Sequence, residues 1–356
     1  MKQDISFLER LLDAPGPSGF EVRAARVWRE EAATFASDVQ VDVSGNSYAT
    51  IPGSGGKRVM LAGHIDEIGL QITHVDKEGF LYVDGIGGWD PQVLVGQRVT
   101  ILGRGGDVTG VVGKKAIHLM TPEDRKEASK IKNLWVDVGA SSRDEVVELG
   151  VRVGDPMVIA QPMARLAGDR IASRAIDNRI GAFVVLEALR ILSRGKTPFA
   201  STTAVATVQE EIGYSGGGAR TSAYTLEPDL ALVVDVTFST DVPDIEKKEL
   251  GEHELGGGPV LSRGSASHNE VFEALATTAE AEGIQFTIQA APVATRTDAD
   301  GIHLTRRGVP TAVVSVPNRY MHSPNEVVSV RDLFRTAELL AAFVRGMDAE
   351  TDFTPR

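Results

Sequence analysis

Histidine and acidic side chains stand at the ends of several short apolar runs, which we predict to be buried strands. They are His64 and Asp66 after VMLAG, Glu210 and Glu211 after TTAVATVQ, Asp235 after LALVV, His322 after TAVVSVPNRYM, and Asp177 just before a predicted helix. In an open α/β sheet, ligands bind in the crevice outside the carboxyl ends of the strands. We therefore expect these side chains to converge on one active site.

The charges of these side chains favour bound metal ions. Five of them are carboxylates, which would repel each other in one cleft unless they are neutralised. Arg174 and Arg179 flank only Asp177, so basic residues are too few to neutralise them. Two divalent cations would nearly cancel the charge. Because the chain has no cysteine, the ligands are imidazole and carboxylate groups, which suit Zn²⁺, Co²⁺ or Mn²⁺.

The spacing of these residues suggests how they divide the work. In an extended segment His64 and Asp66 lie on the same side, so Asp66 can accept the second ring N–H of a metal-bound His64. Of the adjacent acids Glu210 and Glu211, one can bind metal while the other acts as general base. Asp177 can bridge two metals with its two oxygens. A two-metal site that activates water is machinery for hydrolysis of an amide.

The order of the predicted elements indicates how these residues are held. Residues 1–67 and 166–356 alternate helices with continuous Val/Ile/Leu strands, which predicts an α/β domain with a mostly parallel sheet flanked by helices. Residues 68–165 instead contain short β-rich runs separated by glycine-containing turns. We therefore predict a catalytic domain formed by residues 1–67 and 166–356, with a small β-barrel-like domain inserted at residues 68–165.

Four longer helices are predicted in the α/β stretches, at residues 21–35, 178–192, 269–281 and 331–347. The last two are preceded by sequences typical of a capping box, in which the first and fourth residues hydrogen-bond each other's backbone. These sequences are Ser267-x-x-Glu270 and Ser329-x-x-Asp332. The polar residues 121–132 are predicted to form a loop or a short helix.

Composition excludes several other classes of protein. The chain has 356 residues, with 37 Lys+Arg against 49 Asp+Glu and a formal net charge of −12, which argues against nucleic acid or an anionic membrane as a partner. No apolar run approaches the length of a membrane span. Charged residues interrupt the first sixteen residues, unlike a signal peptide, so we expect a cytoplasmic protein.

Five sequence motifs together resemble a known family. GHIDEIG, RAIDNRIGA, VQEEIGYSGG, VVDVT and NRYMHSPNEVV are similar to the dinuclear metal aminopeptidases of the tetrahedral (TET) and glutamyl aminopeptidase type, in metallopeptidase clan MH, family forty-two. The resemblance extends to GKKAIHL and NLWVDVGA in the insert. It implies a phosphorylase/hydrolase-like peptidase fold. It also implies Glu210 as general base, Asp66 as the residue that orients His64, and these metal ligands: His64, Asp177 and Asp235 for one ion, and Asp177, Glu211 and His322 for the other.

The resemblance also implies a substrate and an assembly. The enzyme would remove N-terminal residues from short peptides, with metal-bridged water as the nucleophile. The inserted domain would form dimers, and the dimers would assemble into hollow tetrahedral dodecamers whose interior admits only short, unfolded peptides.

Several alternatives remain open from the sequence. The same site would serve a metal-dependent carboxypeptidase or an N-acyl amino acid deacylase, and a non-catalytic scaffold is a third possibility. Residues 213–217 fit G-x-S-x-G, the nucleophile elbow of serine hydrolases, but they follow their strand too late and leave the acidic residues unexplained. The preferred substrate side chain is undetermined, since Arg296, Arg319 and Lys247 are equally arguable partners for an acidic one.

Overall fold

The computed structural model of the chain describes residues 4–213 and 217–355. Its strands are β1 (Asp38–Val41), β2 (Ser47–Ile51), β3 (Arg58–His64), β4 (Gly69–Val75), β5 (Leu81–Ile86), β6 (Arg98–Gly103), β7 (Gly106–Gly113), β8 (Trp135–Asp137), β9 (Pro156–Ile159), β10 (Ala164–Arg165), β11 (Arg170–Ser173), β12 (Ser201–Thr207), β13 (Leu230–Phe238), β14 (Val260–Arg263), β15 (Thr287–Ala290), β16 (Thr311–Asn318) and β17 (Glu326–Ser329). Its α-helices are α1 (Ser6–Asp13), α2 (Val22–Ala32), α3 (Arg143–Glu148), α4 (Ile176–Ser193), α5 (Gly217–Leu226), α6 (Lys247–Leu250), α7 (Asn269–Ala281), α8 (Ala299–Ile302) and α9 (Val330–Gly346). Single 3₁₀ turns at Asp124–Lys126 and Ile131–Asn133 lie in or at the end of the polar stretch of the insert, and a third, Ile117–Leu119, lies just before it.

The largest sheet has eight strands in the order β1-β2-β12-β3-β13-β16-β14-β15. Its central strands β12, β3, β13 and β16 are parallel to one another. They read as continuous apolar runs because both faces of the sheet are covered, and β16 is buried along its whole length. The predicted α/β fold with a mostly parallel central sheet is confirmed.

Helices cover both faces of this sheet. On one face, α4 and α9 pack against each other and against the sheet within the main hydrophobic core, which also includes residues of α1, α2 and α7. On the other face, α5 and α8 bury small side chains against Met60 and Val205. The described residues contain no helix that is both long enough and apolar enough to cross a membrane.

A closed barrel of six strands, β4-β5-β8-β7-β6-β9, interrupts the α/β fold. Every pairing in it is antiparallel. Its interior side chains form a hydrophobic cluster distinct from the main core, and alternating burial along β5 marks the inward positions. The barrel strands lie within the predicted insert, since they begin at Gly69 and end at Ile159.

The prediction that capping boxes begin α7 and α9 is wrong. Neither α7 nor α9 has a side-chain hydrogen bond at its N-cap. At α9, the Ser329 hydroxyl donates to Asp169, and the carboxylate of Asp332 accepts the backbone N–H groups of Gly256 and Gly258. Contacts with distant segments have displaced the local bonds that the sequence suggested.

Candidate metal centre

The parallel strands bring the predicted site residues to one edge of the sheet. His64 is the last residue of β3, and it pairs with Thr207 at the end of β12. Glu210 and Glu211 lie in the loop that begins two residues earlier, after β12, and Asp235 lies within the carboxyl half of β13. The loop after β16 carries His322, and Asp177 stands in the first turn of α4. All seven predicted residues therefore come together, as described below.

Three side chains form a first ligand group, which we call the His64 group: His64, Asp177 and Asp235. Nε2 of His64 lies 3.3 Å from Oδ1 of Asp177 and 4.0 Å from Oδ1 of Asp235. One ligand atom from each residue falls within 4.8 Å of the other two, a spacing suited to one metal ion. His64 is only 1% exposed, so this group lies in the interior.

A second ligand group, the His322 group, consists of Asp177, Glu211 and His322. Nε2 of His322 lies 3.3 Å from Oδ2 of Asp177 and 3.2 Å from Oε2 of Glu211. These ligand atoms also lie within 4.8 Å of one another. Asp177 thus belongs to both groups, with one oxygen facing each histidine. Among the described residues, Oε1 of Glu211 is buried without a hydrogen-bond partner, as expected of an oxygen suited to a cation.

Asp66 supports both glutamates as well as His64. It is fully buried, and its Oδ1 lies 3.4 Å from Nδ1 of His64. The same carboxylate accepts the backbone N–H groups of Glu210 over 3.2 Å and of Glu211 over 3.1 Å. The hydroxyl of Ser18 donates a further bond of 2.6 Å. Asp66 therefore holds the loop that carries two acids, and it lies beside Nδ1 of His64, which has no hydrogen-bond partner among the described residues.

Glu210 stands beside the His64 group and the cavity next to it, without being a member of that group. Its Oε2 lies 3.7 Å from Nε2 of His64, and its side chain lines the main cavity. Burial, with the negative charges of Asp235, Asp298 and Glu211, raises the pKa of Glu210 to about 10. When only the charges of the protein are considered, Glu210 therefore holds a proton near neutral pH. A nearby divalent cation would favour release of that proton.

The same crowding shifts the other carboxyl groups. Burial and the charge of Asp177 raise the pKa of Glu211 to about 7 and that of Asp235 well above its usual range. Burial also acts on Asp177, but hydrogen bonds from His322 and His64 outweigh it and hold its pKa low. The acidic groups thus repel each other when ionised, and some of them hold a proton. A bound cation would displace those protons and neutralise the repulsion.

The two histidines have raised pKa values. Burial alone would lower the pKa of His64, but hydrogen bonds with Asp177 and Asp66 raise it well above the usual value. For His322, hydrogen bonds with Asp177 and Glu211 likewise outweigh burial and raise the pKa to about 11. A metal ion would have to displace a proton from each imidazole, so metal affinity should increase with pH.

The nearby arginines do not neutralise these ligands. Arg174 and Arg179 are buried, and both form ion pairs with Glu67. Arg179 also donates to carbonyl oxygens of the N-terminal segment. These cations therefore hold the N-terminal segment against the sheet and leave the acidic groups to another partner.

Three residues that support the site were not predicted from the sequence. They are Ser18, described above, Gly88 and Glu326. Gly88 lies in a loop of the barrel, and its carbonyl oxygen is 2.7 Å from Nδ1 of His322. Glu326 accepts the backbone N–H groups of Asp177 and His322. Of these three residues, Glu326 alone lies in the NRYMHSPNEVV motif, four residues after His322. An acidic residue this near a predicted ligand was the signal that could have identified it.

A cavity of about 1100 Å³ opens beside the two ligand groups. Of the three basic residues considered for an acidic substrate, Arg296 lines this cavity. Arg319 instead pairs with Asp241, and Lys247 lies near Glu252 and Glu254. The structure therefore separates three candidates that the sequence left equal.

The G-x-S-x-G sequence is described only at its ends. Gly213 and Gly217 are among the described residues and line the cavity. The three residues between them, including the serine, lie outside the described residues.

Fold, ligand groups and sequence all agree with one class of enzyme. The profile of the M42 glutamyl aminopeptidase family matches residues 45–339, and the chain belongs to this family. It is a metal-dependent aminopeptidase, a hydrolase that acts on peptide bonds.

Named relatives cover almost the whole chain. It is 36% identical over 355 residues to the lysyl aminopeptidase of Pyrococcus furiosus, covering 99% of each chain. It superposes with a TM-score of 0.92 on the TET aminopeptidase of Thaumarchaeota archaeon SCGC AB-539-E09, at 34% identity and 97% coverage of each. The TET1 peptidase of Pyrococcus horikoshii, reported to assemble into a tetrahedron or a large octahedral shell, has a TM-score of 0.84, 30% identity, and coverage of 96% of this chain and 99% of its own.

Proposed function

We propose that this chain is a dinuclear aminopeptidase that removes N-terminal residues from short peptides. The observation that carries the proposal is the position of Asp177, whose Oδ1 faces His64 and whose Oδ2 faces His322. A carboxylate shared in this way is suited to join two metal ions. The ligands would be the His64 group for one ion and the His322 group for the other.

The ligand atoms and their burial support metals of borderline hardness. Imidazole nitrogens and carboxylate oxygens suit Zn²⁺ or Co²⁺, and Mn²⁺ is a further candidate. The buried Oε1 of Glu211, which has no hydrogen-bond partner among the described residues, supports a cation near it. When bound, such ions supply Lewis acidity toward a peptide carbonyl and lower the pKa of water.

The side chains supply the proton transfers in this proposal. Glu210 would take a proton from the attacking water while the water oxygen forms a bond to the carbonyl carbon of the scissile peptide. When the C–N bond breaks, Glu210 would return that proton to the leaving amine, so its carboxylate is restored as the base after each turnover. Asp66 would keep His64 oriented by accepting its Nδ1–H.

Assembly through the barrel is part of the same proposal. Exposed apolar side chains on the insert support a contact surface there, since Ile117 is 60% and Leu119 is 71% exposed. The shells reported for the TET1 peptidase of Pyrococcus horikoshii favour dimers that assemble into a tetrahedral dodecamer. Light scattering should give a mass well above that of one chain, whereas a stable monomer at micromolar concentration would contradict the assembly. A cytoplasmic location stays a prediction from the sequence.

The substrate and metal requirements are tested by one panel of assays. Aminoacyl p-nitroanilides with acidic, aliphatic and basic side chains are incubated with enzyme treated with EDTA, and then with added Zn²⁺, Co²⁺ or Mn²⁺. We expect activity to disappear on chelation and to return with metal. Peptides with a blocked N-terminus should resist cleavage. Full activity of the metal-free enzyme would refute the proposal and any other metal-dependent reaction at this site. Preference for blocked peptides would refute the aminopeptidase and favour a deacylase or carboxypeptidase.

A further inference from the structure

Glu326 is a buried acid whose two oxygens each hold a backbone amide. Only 2% of the surface of Glu326 is exposed to solvent. Oε2 accepts the N–H of Asp177 over 2.9 Å, and Oε1 accepts the N–H of His322 over 2.8 Å. One carboxylate thus connects two segments of the chain, and each of these segments carries a residue of the His322 group.

Strand pairing explains how Glu326 reaches both segments. Glu326 begins β17, which pairs with β11 so that Ser173 lies opposite Glu326. From Ser173 the chain continues directly into Asp177, and His322 lies in the loop that leads into β17. The small sheet β10-β11-β17 therefore places this carboxylate between the two ligands.

The backbone of His322 is in a conformation that requires support. Its φ is +58°, in the left-handed region that non-glycine residues occupy only where the surroundings hold them. Glu326 holds the amide of His322, and the carbonyl of Gly88 lies 2.7 Å from the ring nitrogen Nδ1. Together these contacts direct Nε2 of His322 toward Asp177 and Glu211.

We propose that Glu326 is a positioning residue for the His322 group. Its carboxylate fixes the backbone of two of the three ligands, and so determines how tightly this group binds a divalent cation. The inference rests on the proposed function, in that the group is taken to hold a metal. The His64 group depends on Asp66 for the orientation of its histidine and shares only Asp177 with the other group. Loss of the Glu326 carboxylate should therefore weaken one cation more than the other.

The variant Glu326→Gln tests this assignment with little change of shape. The glutamine amide keeps one oxygen that can accept a backbone N–H. Its NH₂ group replaces the other oxygen, so the second backbone N–H loses its acceptor. Metal-free protein is titrated with Zn²⁺ by calorimetry and with Co²⁺ by visible absorption. The wild type should bind two ions per chain. The variant should bind one ion about 10–100-fold more weakly, the usual effect of removing a group that supports a metal ligand. It should bind the other ion with a smaller loss, since that group shares only Asp177.

Asp332→Asn is the matched control. Asp332 is also a fully buried carboxylate that accepts two backbone N–H groups, from Gly256 and Gly258, but it contacts neither ligand group through those bonds. We expect it to leave both metal affinities unchanged. The melting temperature of each metal-free variant separates loss of fold from loss of metal. If Glu326→Gln does not fold, Glu326→Asp, which retains both oxygens on a shorter side chain, should weaken the same ion by a smaller factor.

The outcomes separate this inference from the proposed function. Suppose that the wild type binds two ions and cleaves peptides, and that the Glu326 variant binds each ion as tightly as the wild type does. The inference is then wrong and the proposed function stands. Equal weakening by Asp332→Asn would also overturn the inference. A wild type that binds no ion overturns the proposed function and this inference with it.

Discussion

Oδ1 of Asp66 accepts the backbone N–H of Glu210 over 3.2 Å. The same oxygen lies 3.4 Å from Nδ1 of His64, so one atom holds the backbone of the proposed base and stands beside the histidine that we propose it orients. Asp66 has this capacity because it is ionised: burial raises its pKa, but the hydrogen bond and positive charge of His64 outweigh burial and leave the pKa below its usual value. The consequences of removing this charge are testable.

Asp66→Asn should lower metal affinity by about 10–100-fold, since an NH₂ group would face backbone or ring donors. Calorimetric titration with Zn²⁺ measures this change. Ser18→Ala is a graded control, because it removes one of the donors to Asp66 and leaves the carboxylate in place. The alanine variant should have a smaller effect. Wild-type metal affinity in the asparagine variant would show that Asp66 does not orient His64.

Glu210→Gln should retain metal and lose activity. Glu210 belongs to neither ligand group, so its neutral analogue should leave the metal content unchanged. Turnover should fall by about 10²–10⁴-fold, the usual contribution of a positioned acid or base. Metal analysis and kcat on a p-nitroanilide are measured on the same preparation. Glu211→Gln is the comparison, since it should lose metal as well as turnover. Undiminished kcat in the Glu210 variant would mean that another group moves the proton.

Gly87→Ala should disturb the metal centre from within the barrel. A Cβ at this position would lie 2.6 Å from Cγ2 of Ile68 and 3.5 Å from Cβ of Glu211, and φ is +76°. Gly139→Ala is a matched control, because it has a φ of +79° with no atom within 4 Å of the added Cβ. Both variants should lose about 1–2 kcal/mol of stability through backbone strain, because a Cβ is unfavourable in the left-handed region. Only Gly87→Ala should lose a further ~1–3 kcal/mol through overpacking, together with part of its kcat/KM. Thermal unfolding and kinetics measure the two effects, and equal behaviour would exclude a specific contact.

Asp241→Asn should make stability less dependent on pH. Burial raises the pKa of Asp241, but hydrogen bonds from Arg319 and Ser239 outweigh it and hold the pKa below the ordinary value. A depressed pKa in the folded state stabilises the protein above pH ~4 and ceases to do so as the pH falls through the folded-state pKa. The variant should therefore lose about 1–3 kcal/mol near pH 7 and approach the wild type below pH ~4. Urea unfolding across this range measures the difference. Asp107→Asn, in an exposed pair with Arg23, should change stability by less than ~1 kcal/mol.

Apolar periodicity predicted the helices well. The helix predicted at residues 269–281 has the bounds of Asn269–Ala281, and the one predicted at residues 331–347 is observed at Val330–Gly346. The helix predicted at residues 178–192 is observed at Ile176–Ser193, although Asp177 and Asn178 in its first turn have non-helical dihedral angles. Periodicity reports which face is buried, and it carries no information about a backbone distorted to present a ligand.

The clustering of the candidate ligands was predictable because each follows a buried strand or precedes a helix in a distinctive motif. Glu326 and Gly88 were not, because each acts through a backbone group: Glu326 binds amide N–H groups, and Gly88 offers a carbonyl oxygen. The contact of Gly88 also joins the barrel to a loop far away in sequence. Any residue type has a carbonyl oxygen, so composition and spacing cannot reveal such a contact.

The barrel divides the chain between His64 and the remaining ligands. His64 is made before the barrel, whereas Asp177, Asp235 and His322 are made after it. During synthesis the His64 group stays incomplete until β13 has emerged, and the His322 group until the loop after β16. A polypeptide whose translation stops early therefore lacks the full set of ligands. If these residues bind the metals as we propose, the chain acquires peptide cleavage only late in its synthesis, and prematurely terminated products would not attack the peptides around them.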